Sequence, residues 1–249
     1  MKNKVLFSVI TLLAGSLIAA ESTPKDDVLA AAKALGNSAS YSWKSTVANA
    51  GGGGGGGGRG GGPSEGKTQK DSYTLVTSTF GGNTSEMVLK GDKGAMSTPD
   101  NGWQTLAELE ADQGGPGQFM SARMRNFKAP AAQVADLAAN TAEIKKDADT
   151  YSGDLTETGA KAMLSFGGRG GGAGPTISDA KGSAKFWIKD GVLSKYETHV
   201  TGKVSFNGND RDVDRTTTVE IKDVGTTKVE VPADALKKLN PAPAAAAKP

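Results

Sequence analysis

The sequence predicts an α+β fold organised around a mostly antiparallel sheet. Apolar and polar side chains alternate through the long stretch Lys181–Leu239, and short polar turns separate its alternating runs. From Thr105 the spacing of the apolar residues changes to that of helices. Strands joined by short hairpins run antiparallel, so the hairpin connections argue against a parallel nucleotide-binding sheet.

The first element is predicted to be a helix from Pro24 to Leu35. Thr23 is a suitable N-cap, Pro24 occupies the first helical position, and Gly36-Asn37 supplies a left-handed stop. After this helix, apolar and polar side chains alternate from Tyr41 to Val47, which is typical of a half-buried strand.

A meander of extended runs and a group of helices follow. Extended runs lie on both sides of Gly81-Gly82-Asn83, and a second turn at Gly91-Asp92 leads into a third run. Helical spacing then returns in three segments, with these apolar side chains: Leu106 and Leu109; Phe119, Met120, Met124 and Phe127; Val134, Leu137 and Ala138. Strand character comes back at Glu143–Leu155, and Thr156 is the predicted cap of a helix that carries Ala160, Met163, Leu164 and Phe166.

The closing stretch is predicted to form four strands and a terminal helix, Ala233–Leu239. Its last strand contains Val229 and Val231, which alternate with charged residues. Asp190-Gly191 marks a hairpin, but a two-residue loop and a three-residue loop give different registers.

Large apolar side chains lie on both faces of the strand before this hairpin. Phe186 and Ile188 share one face and Trp187 takes the other. After the hairpin, we place Tyr196 on the face of Trp187. One of these two faces is expected to turn towards the middle helices.

The first twenty residues have the features of a secretory signal peptide. A basic start with Lys2 and Lys4 precedes a short apolar run, and small residues precede a cleavage point after Ala20. The run is shorter than the roughly 20 residues that span a bilayer, so no stable transmembrane segment is expected. We expect one domain over residues 21–239 and a disordered, proline- and alanine-rich tail at 240–249.

Two glycine-rich inserts interrupt the pattern, at residues 51–62 and 167–174. They carry almost no side chains to bury, so mobile low-complexity loops are expected. The first insert lacks the Gly-Lys-Ser/Thr ending of a phosphate-binding loop. Each insert contains a single arginine, Arg59 or Arg169, which favours a flexible linker over an RNA-binding segment.

The composition excludes several classes of function. The chain has no cysteine, which excludes disulfides, thiolate metal sites, a cysteine nucleophile and a lipidated cysteine. It has 29 basic and 27 acidic side chains, and loss of Lys2 and Lys4 with the signal peptide leaves these numbers equal. Because a neutral protein has no strong positive field, no nucleic-acid partner is expected.

No catalytic constellation is found in the sequence, and we expect a protein that is not an enzyme. The single histidine, His199, has no triad or ligand motif around it, so a structural or surface role is favoured over a hydrolase built on it. Asp210, Asp212 and Asp214 offer oxygens to calcium, but the glycine and terminal glutamate of the known calcium loop are missing. A solvated turn is favoured, and neither a metal nor a cofactor is expected.

The chain resembles the LolA-like superfamily of exported bacterial carriers, which includes lipoproteins of the LppX and LprG type. The resemblance is carried by DTYSGDLT from Asp149 to Thr156, by KFWIKDGVLSKYE around Asp190-Gly191, by TTTVEIKDVGTTKVEVP and by the terminal ADALKKL. It implies a curved, incomplete antiparallel barrel with helices packed on its concave face. It also implies an apolar space between sheet and helices that holds acyl chains.

On this resemblance, the expected function is that of a periplasmic or secreted carrier for a lipid or an acylated protein. Six residues are candidates for the apolar cavity: Phe119, Met120, Met124, Phe127, Trp187 and Tyr196. The four from the helical segment also fit an ordinary core stripe. The alternative function is an envelope sensor or interaction module of the same fold, with an envelope protein as partner and no transported ligand.

Overall fold

The computed structural model describes residues 22–50, 63–80, 82–98, 101–112, 116–165, 175–206 and 208–241. The helices in these ranges are α1 (Pro24–Asn37), α2 (Leu106–Ala111), α3 (Pro116–Arg125), α4 (Pro130–Ala139), α5 (Glu157–Leu164) and α6 (Ala233–Leu239). The strands are β1 (Ser40–Asn49), β2 (Ser64–Gln69), β3 (Thr74–Phe80), β4 (Asn83–Lys90), β5 (Lys93–Thr98), β6 (Gly102–Thr105), β7 (Lys145–Asp147), β8 (Thr150–Asp154), β9 (Thr176–Lys189), β10 (Val192–Phe206) and β11 (Asn209–Lys222). In this described part of the chain, no helix is both long and apolar enough to cross a membrane.

All eleven strands belong to one antiparallel sheet, in the order β6-β5-β4-β3-β2-β1-β11-β10-β9-β8-β7. The sheet is not closed, because β6 and β7 are its edges. The chain crosses from one edge to the other through α2, α3 and α4, and helices α1 to α5 supply side chains to the core on the concave face. The predicted α+β class, with an incomplete antiparallel barrel and helices on its concave face, is confirmed.

The main core lies between the concave face and these helices. Helix α1 contributes Val28 and Leu35, α4 contributes Val134, and the sheet contributes Trp43 and Phe186. Full burial of an apolar side chain stabilises the folded state by about 1.5–3 kcal/mol. Helix α1 begins at Pro24 as predicted, but it runs on to Asn37, so the predicted left-handed stop at Gly36-Asn37 is wrong. A capping box starts the helix: Thr23 Oγ1 accepts a hydrogen bond from the Asp26 N–H while the Asp26 carboxylate accepts from the Thr23 N–H.

The Asp190-Gly191 hairpin has a two-residue loop, because Lys189 pairs with Val192. Asp190 and Gly191 have φ values of 52° and 75°. Two successive residues with positive φ are typical of a type I′ turn, whose twist matches that of the strands it joins. The loop length left open by the sequence is therefore two.

The pairing of β9 and β10 shifts by one residue between Leu193 and Lys195, and this shift decides which side chains face the interior. Tyr196 pairs with Phe186, and Trp187 pairs with Lys195. Directly opposite residues of an antiparallel pair share a face. Tyr196 therefore lies on the concave face with Phe186, while Trp187 lies on the outer face. The prediction that Trp187 and Tyr196 share one face is wrong.

The predicted strand at Val229 and Val231 does not form, so the closing stretch has three strands instead of four. Residues 223–232 follow β11 without strand pairing. Val231 packs against a second apolar cluster on the outer face, formed by Val88, Ala95, Ala235 and Leu239. Val231 thus helps to hold α6 against the outer face, and this packing also needs one apolar side of an extended segment.

Many connections meet at one end of the sheet, called the rim below. Strands β1, β3, β5 and β10 end there, and β2, β4, β6, β9 and β11 begin there. The first glycine-rich insert joins β1 to β2 and the second leads into β9, so both reach the sheet at the rim. The inserts at 51–62 and 167–174 lie outside the described residues, as do the predicted signal peptide, Phe166 and residues 242–249 of the predicted tail.

Candidate functional site

A row of inward-facing residues crosses the concave face from β1 to β5. The register places these residues side by side, in the order Trp43, Gly66, Val76, Met87 and Met96. Gly66 makes room for the Trp43 indole, since a Cβ at that position would lie 2.0 Å from the ring. The indole stacks on Phe127, with ring centroids 6.3 Å apart. We call these five strand residues the apolar row.

Helix α3 places two methionines against this half of the sheet. Met124 is buried and lies against Gly94, where an added Cβ would be 2.3 Å from the methionine sulfur. Met120 is partly buried in the same core. Met87, Met96, Met120 and Met124 are called the methionine cluster. Methionine side chains are flexible and polarisable, so they repack around different shapes more easily than branched side chains do.

Helix α3 is held by less buried apolar surface than α1. It buries Met124 and part of Met120, whereas α1 buries four apolar side chains. Among the described residues, three polar contacts tie α3 to its surroundings: Arg123 Nη2 donates to Ser78 Oγ at 2.7 Å, the Gly117 N–H donates to Asp112 Oδ2 at 3.3 Å, and Arg125 forms an ion pair with Glu110 of α2. Helix α3 is therefore better suited than α1 to move away from the sheet.

Aromatic side chains fill the other half of the interior, over β8 to β10. Phe186 is fully buried, and the Tyr196 hydroxyl donates to Gln133 Oε1 of α4. Burial raises the pKa of Tyr196, so its phenol is neutral at physiological pH. The Tyr151 hydroxyl donates to Asp27 Oδ2 of α1 at 3.0 Å. These contacts fasten α1 and α4 to the sheet.

The outer face is polar over the central strands. A hollow of about 440 Å³ lies over β1 to β3. Charged and hydroxyl side chains dominate its lining: Ser42, Lys44, Glu65, Lys67, Thr77 and Lys222. A smaller hollow of about 250 Å³ lies between α2, α6 and the turn after β4, and Lys93, Glu110 and Lys238 are among its lining residues. Because charged side chains line both hollows, neither is suited to bind an acyl chain.

His199 lies on the outer face of β10, where Nε2 is 2.9 Å from Asp214 Oδ1. Ser183 is its cross-strand neighbour on β9. The side chains of His199 and Asp214 are 47% and 44% exposed, and neither residue lines one of the two hollows. This is a surface pair, as predicted. Among the described residues, Asp210 and Asp212 included, no group of three His, Asp or Glu side chains is placed to hold a metal.

Comparisons with known proteins give similarity in fold. No protein-family model matches the sequence, and no curated protein matches it. The lipoprotein LppX of Mycobacterium tuberculosis is similar in structure, with 7% identity, a TM-score of 0.44, and coverage of 83% of this chain and 97% of LppX. LprF of Mycobacterium bovis gives 11% identity, a TM-score of 0.43, and coverage of 85% and 97%. A LolA superfamily protein of Nitrosomonas europaea gives 8% identity, a TM-score of 0.30, and coverage of 84% and 96%.

Four of the six predicted site residues lie in the interior, between the sheet and the helices. Met120, Met124 and Phe127 come together over the half of the sheet that carries Trp43. Tyr196 is also interior, but it lies on the half that aromatic side chains fill.

The other two predicted residues lie elsewhere. Phe119 is 58% exposed, next to Met120 on α3. Trp187 is on the outer face, with Lys195 Nζ 4.4 Å from its ring centroid. Trp187 is therefore outside the space between the sheet and helices.

The sequence did not single out Met87, Met96 or Trp43 as part of this site. Each sits at an alternating strand position, which indicates burial but not which side chains are neighbours. Pairing across five strands aligns them in one row on the concave face, and that pairing is not readable from the period of a single strand.

Proposed function

We propose that this chain is an exported carrier that binds a lipid or the acyl chain of a lipoprotein between the concave face of its sheet and helix α3. The observation that carries the proposal is the methionine cluster between the sheet and α3, the helix that buries less apolar surface than α1 does. A cleft that admits different acyl chains needs apolar walls that repack, and methionine supplies them.

Burial alone is sufficient to hold such a ligand. Each CH₂ group transferred from water contributes about 0.8 kcal/mol, so a long chain needs no dedicated polar residue for affinity. Met120, Met124 and Phe127 are the proposed contacts, together with Met87, Met96 and Trp43. Phe119, which is exposed beside Met120, is the proposed first contact of an entering chain. Tyr196 is the proposed inner limit of the site.

The test is native mass spectrometry of the protein purified from its own host, followed by solvent extraction and lipid analysis. We expect a copurified lipid in the wild type, less of it in Met120→Glu, and an unchanged amount in Trp187→Ala, the matched control on the outer face. A wild-type protein without any lipid contradicts the carrier function.

A second function is favoured by the filled half of the interior. Phe186, Tyr196 and Tyr151 occupy this half of the space between sheet and helices, where a large carrier cavity would otherwise extend. A filled interior suits an envelope sensor or interaction module with a protein partner. In that case the protein purified from its own host carries no lipid.

A further inference from the structure

A row of four serines crosses the concave face one step nearer the rim than the apolar row. The register sets Ser45 opposite Ser64, Ser64 opposite Ser78, and Ser78 opposite Ser85. One hydroxyl side chain therefore comes from each of the adjacent strands β1 to β4. These four residues are called the serine row.

The serine row faces the interior. Ser45 lies two residues from Trp43 and Ser78 lies two residues from Val76, and residues two apart in a strand share a face. Ser78 is 7% exposed and the other three serines are half-buried. The hydroxyl groups thus lie between the buried apolar row and the solvent at the rim.

Arg123 brings a positive charge to the middle of this row. Its Nη2 donates to Ser78 Oγ at 2.7 Å. The residue as a whole is exposed, but its guanidinium is turned towards the sheet, and burial there lowers its pKa. A guanidinium stays charged in proteins and has five N–H donors, so the bond to Ser78 occupies a fraction of its capacity. The ion pair described for α3 is made by Arg125 and not by Arg123.

The concave face therefore becomes more polar towards the rim. The apolar row and the methionine cluster lie inside, and the serine row with Arg123 lies nearer the rim. An amphiphile has the same order of chemistry, with an apolar chain that avoids water and a charged head that keeps contact with it.

We propose that the serine row and Arg123 bind the anionic head group, a carboxylate or a phosphate, of an amphiphile whose acyl chain lies against the methionine cluster. This assignment rests on the proposed carrier function and specifies its ligand class. The planar guanidinium donates to two oxygens of one anion side by side, and the neighbouring hydroxyl groups donate to its remaining lone pairs.

The test compares three probes that share a twelve-carbon chain: dodecanoate, dodecyl phosphate and 1-dodecanol. Each is titrated calorimetrically into the delipidated protein. We expect at least one of the two anions to bind about tenfold more tightly than dodecanol, because hydrogen bonds to charged groups are stronger than those between neutral groups. The tighter of the two anions distinguishes a fatty-acid head from a phosphate head.

Two variants locate the head group. Arg123→Gln is expected to weaken binding of the preferred anion about tenfold and to leave dodecanol unchanged. Arg125→Gln removes an arginine of the same helix that is paired with Glu110, so it is the matched control and keeps the preference. Because Arg123→Gln also removes a contact of α3, the double variant Ser64→Ala/Ser85→Ala is measured as well, and it is expected to weaken the anion about fivefold.

The outcomes separate the two proposals. Equal binding of all three probes, unaffected by Arg123→Gln, overturns the head-group assignment and leaves the carrier function standing. Failure of every probe to bind the wild-type protein overturns the carrier function and the assignment with it.

Discussion

At the scale of single residues, Gly66 sets the shape of the interior. The Trp43 indole lies where a side chain at Gly66 would be, with a Cβ-to-ring distance of 2.0 Å. Gly66→Ala forces the indole or the strand to move, and we expect it to lower the free energy of unfolding by about 1–3 kcal/mol. Urea unfolding followed by tryptophan fluorescence measures this change.

Gly36 supplies the control for that experiment. It lies in α1, and an added Cβ would meet the Ala131 Cβ at an ordinary distance of 3.5 Å. Gly36→Ala is expected to leave stability unchanged or to raise it by up to about 1 kcal/mol, because alanine favours the helix. A Gly66→Ala protein as stable as Gly36→Ala contradicts the close packing of the indole.

Tyr196 gives a prediction for alkaline pH. Burial raises its pKa above the value near 10 that applies in the unfolded chain. Above about pH 10 the unfolded chain loses the phenolic proton while the folded protein keeps it, so unfolding releases a proton and stability falls as pH rises. We expect Tyr196→Phe to lose less stability than the wild type between about pH 9 and 11.

At neutral pH we expect Tyr196→Phe to be less stable than the wild type. Tyr196→Phe removes the hydrogen bond to Gln133, which costs about 1 kcal/mol. Urea unfolding at both pH values measures the two effects. Parallel loss of stability by both proteins at high pH means that Tyr196 does not cause the alkaline decline.

At the scale of elements, α3 is expected to open more readily than α1. It buries Met124 and part of Met120, and amide exchange follows the local cost of opening. Hydrogen–deuterium exchange is expected to be faster at residues 117–125 than at 28–35, and a bound acyl ligand is expected to slow it in α3. Equal protection of the two helices argues that α3 is a fixed part of the core.

Helix α6 is fastened to the outer face by a few apolar side chains. Leu239 is 6% exposed in the cluster with Val88 and Ala95. We expect Leu239→Ala to reduce stability by about 2–4 kcal/mol, because it removes packed methyl groups that cannot be replaced there. Lys237→Ala, on the exposed side of the same helix, is the control and is expected to change stability by less than about 0.5 kcal/mol in thermal unfolding.

The same helix explains why one element was predicted wrongly. The alternation at Val229 and Val231 is that of a strand, but alternation reports only that one side of an extended segment is apolar. Here the apolar side meets the outer face of another part of the sheet. Hydrogen bonding to a neighbouring strand was not required, and the sequence period does not distinguish the two arrangements.

At the scale of the whole molecule, export is the first property to test. The chain expressed from Met1 in a bacterial host is expected to appear outside the cytoplasm, with the mass of a chain that starts at Glu21, because small residues precede the cleavage point after Ala20. Intact-mass spectrometry of the cell fractions measures this. A cytoplasmic protein that keeps residues 1–20 contradicts the predicted export.

The general architecture was predictable from the sequence, because local periods report secondary structure and hairpins report antiparallel pairing. The candidate site was predictable only in part. Met120, Met124 and Phe127 have helical spacing in the sequence, which predicted that they share one apolar side, and all three lie in the interior. The serine row was not found, because its members are neighbours only after four strands pair in one register. Trp187 was misplaced relative to Tyr196 because the pairing of β9 and β10 shifts by one residue between Leu193 and Lys195, and such a shift reverses the face of every later side chain.

Because many strands begin or end at the rim, residues can be inserted there without changing the strands themselves. An insertion between β1 and β2, or before β9, alters no pairing partner and no alternation of faces, whereas one residue added within a strand turns all later side chains over. The two stretches that share the sequence GGRGGG both enter the sheet at this end. Changes in the length of these glycine-rich repeats therefore leave the pairing of all eleven strands intact.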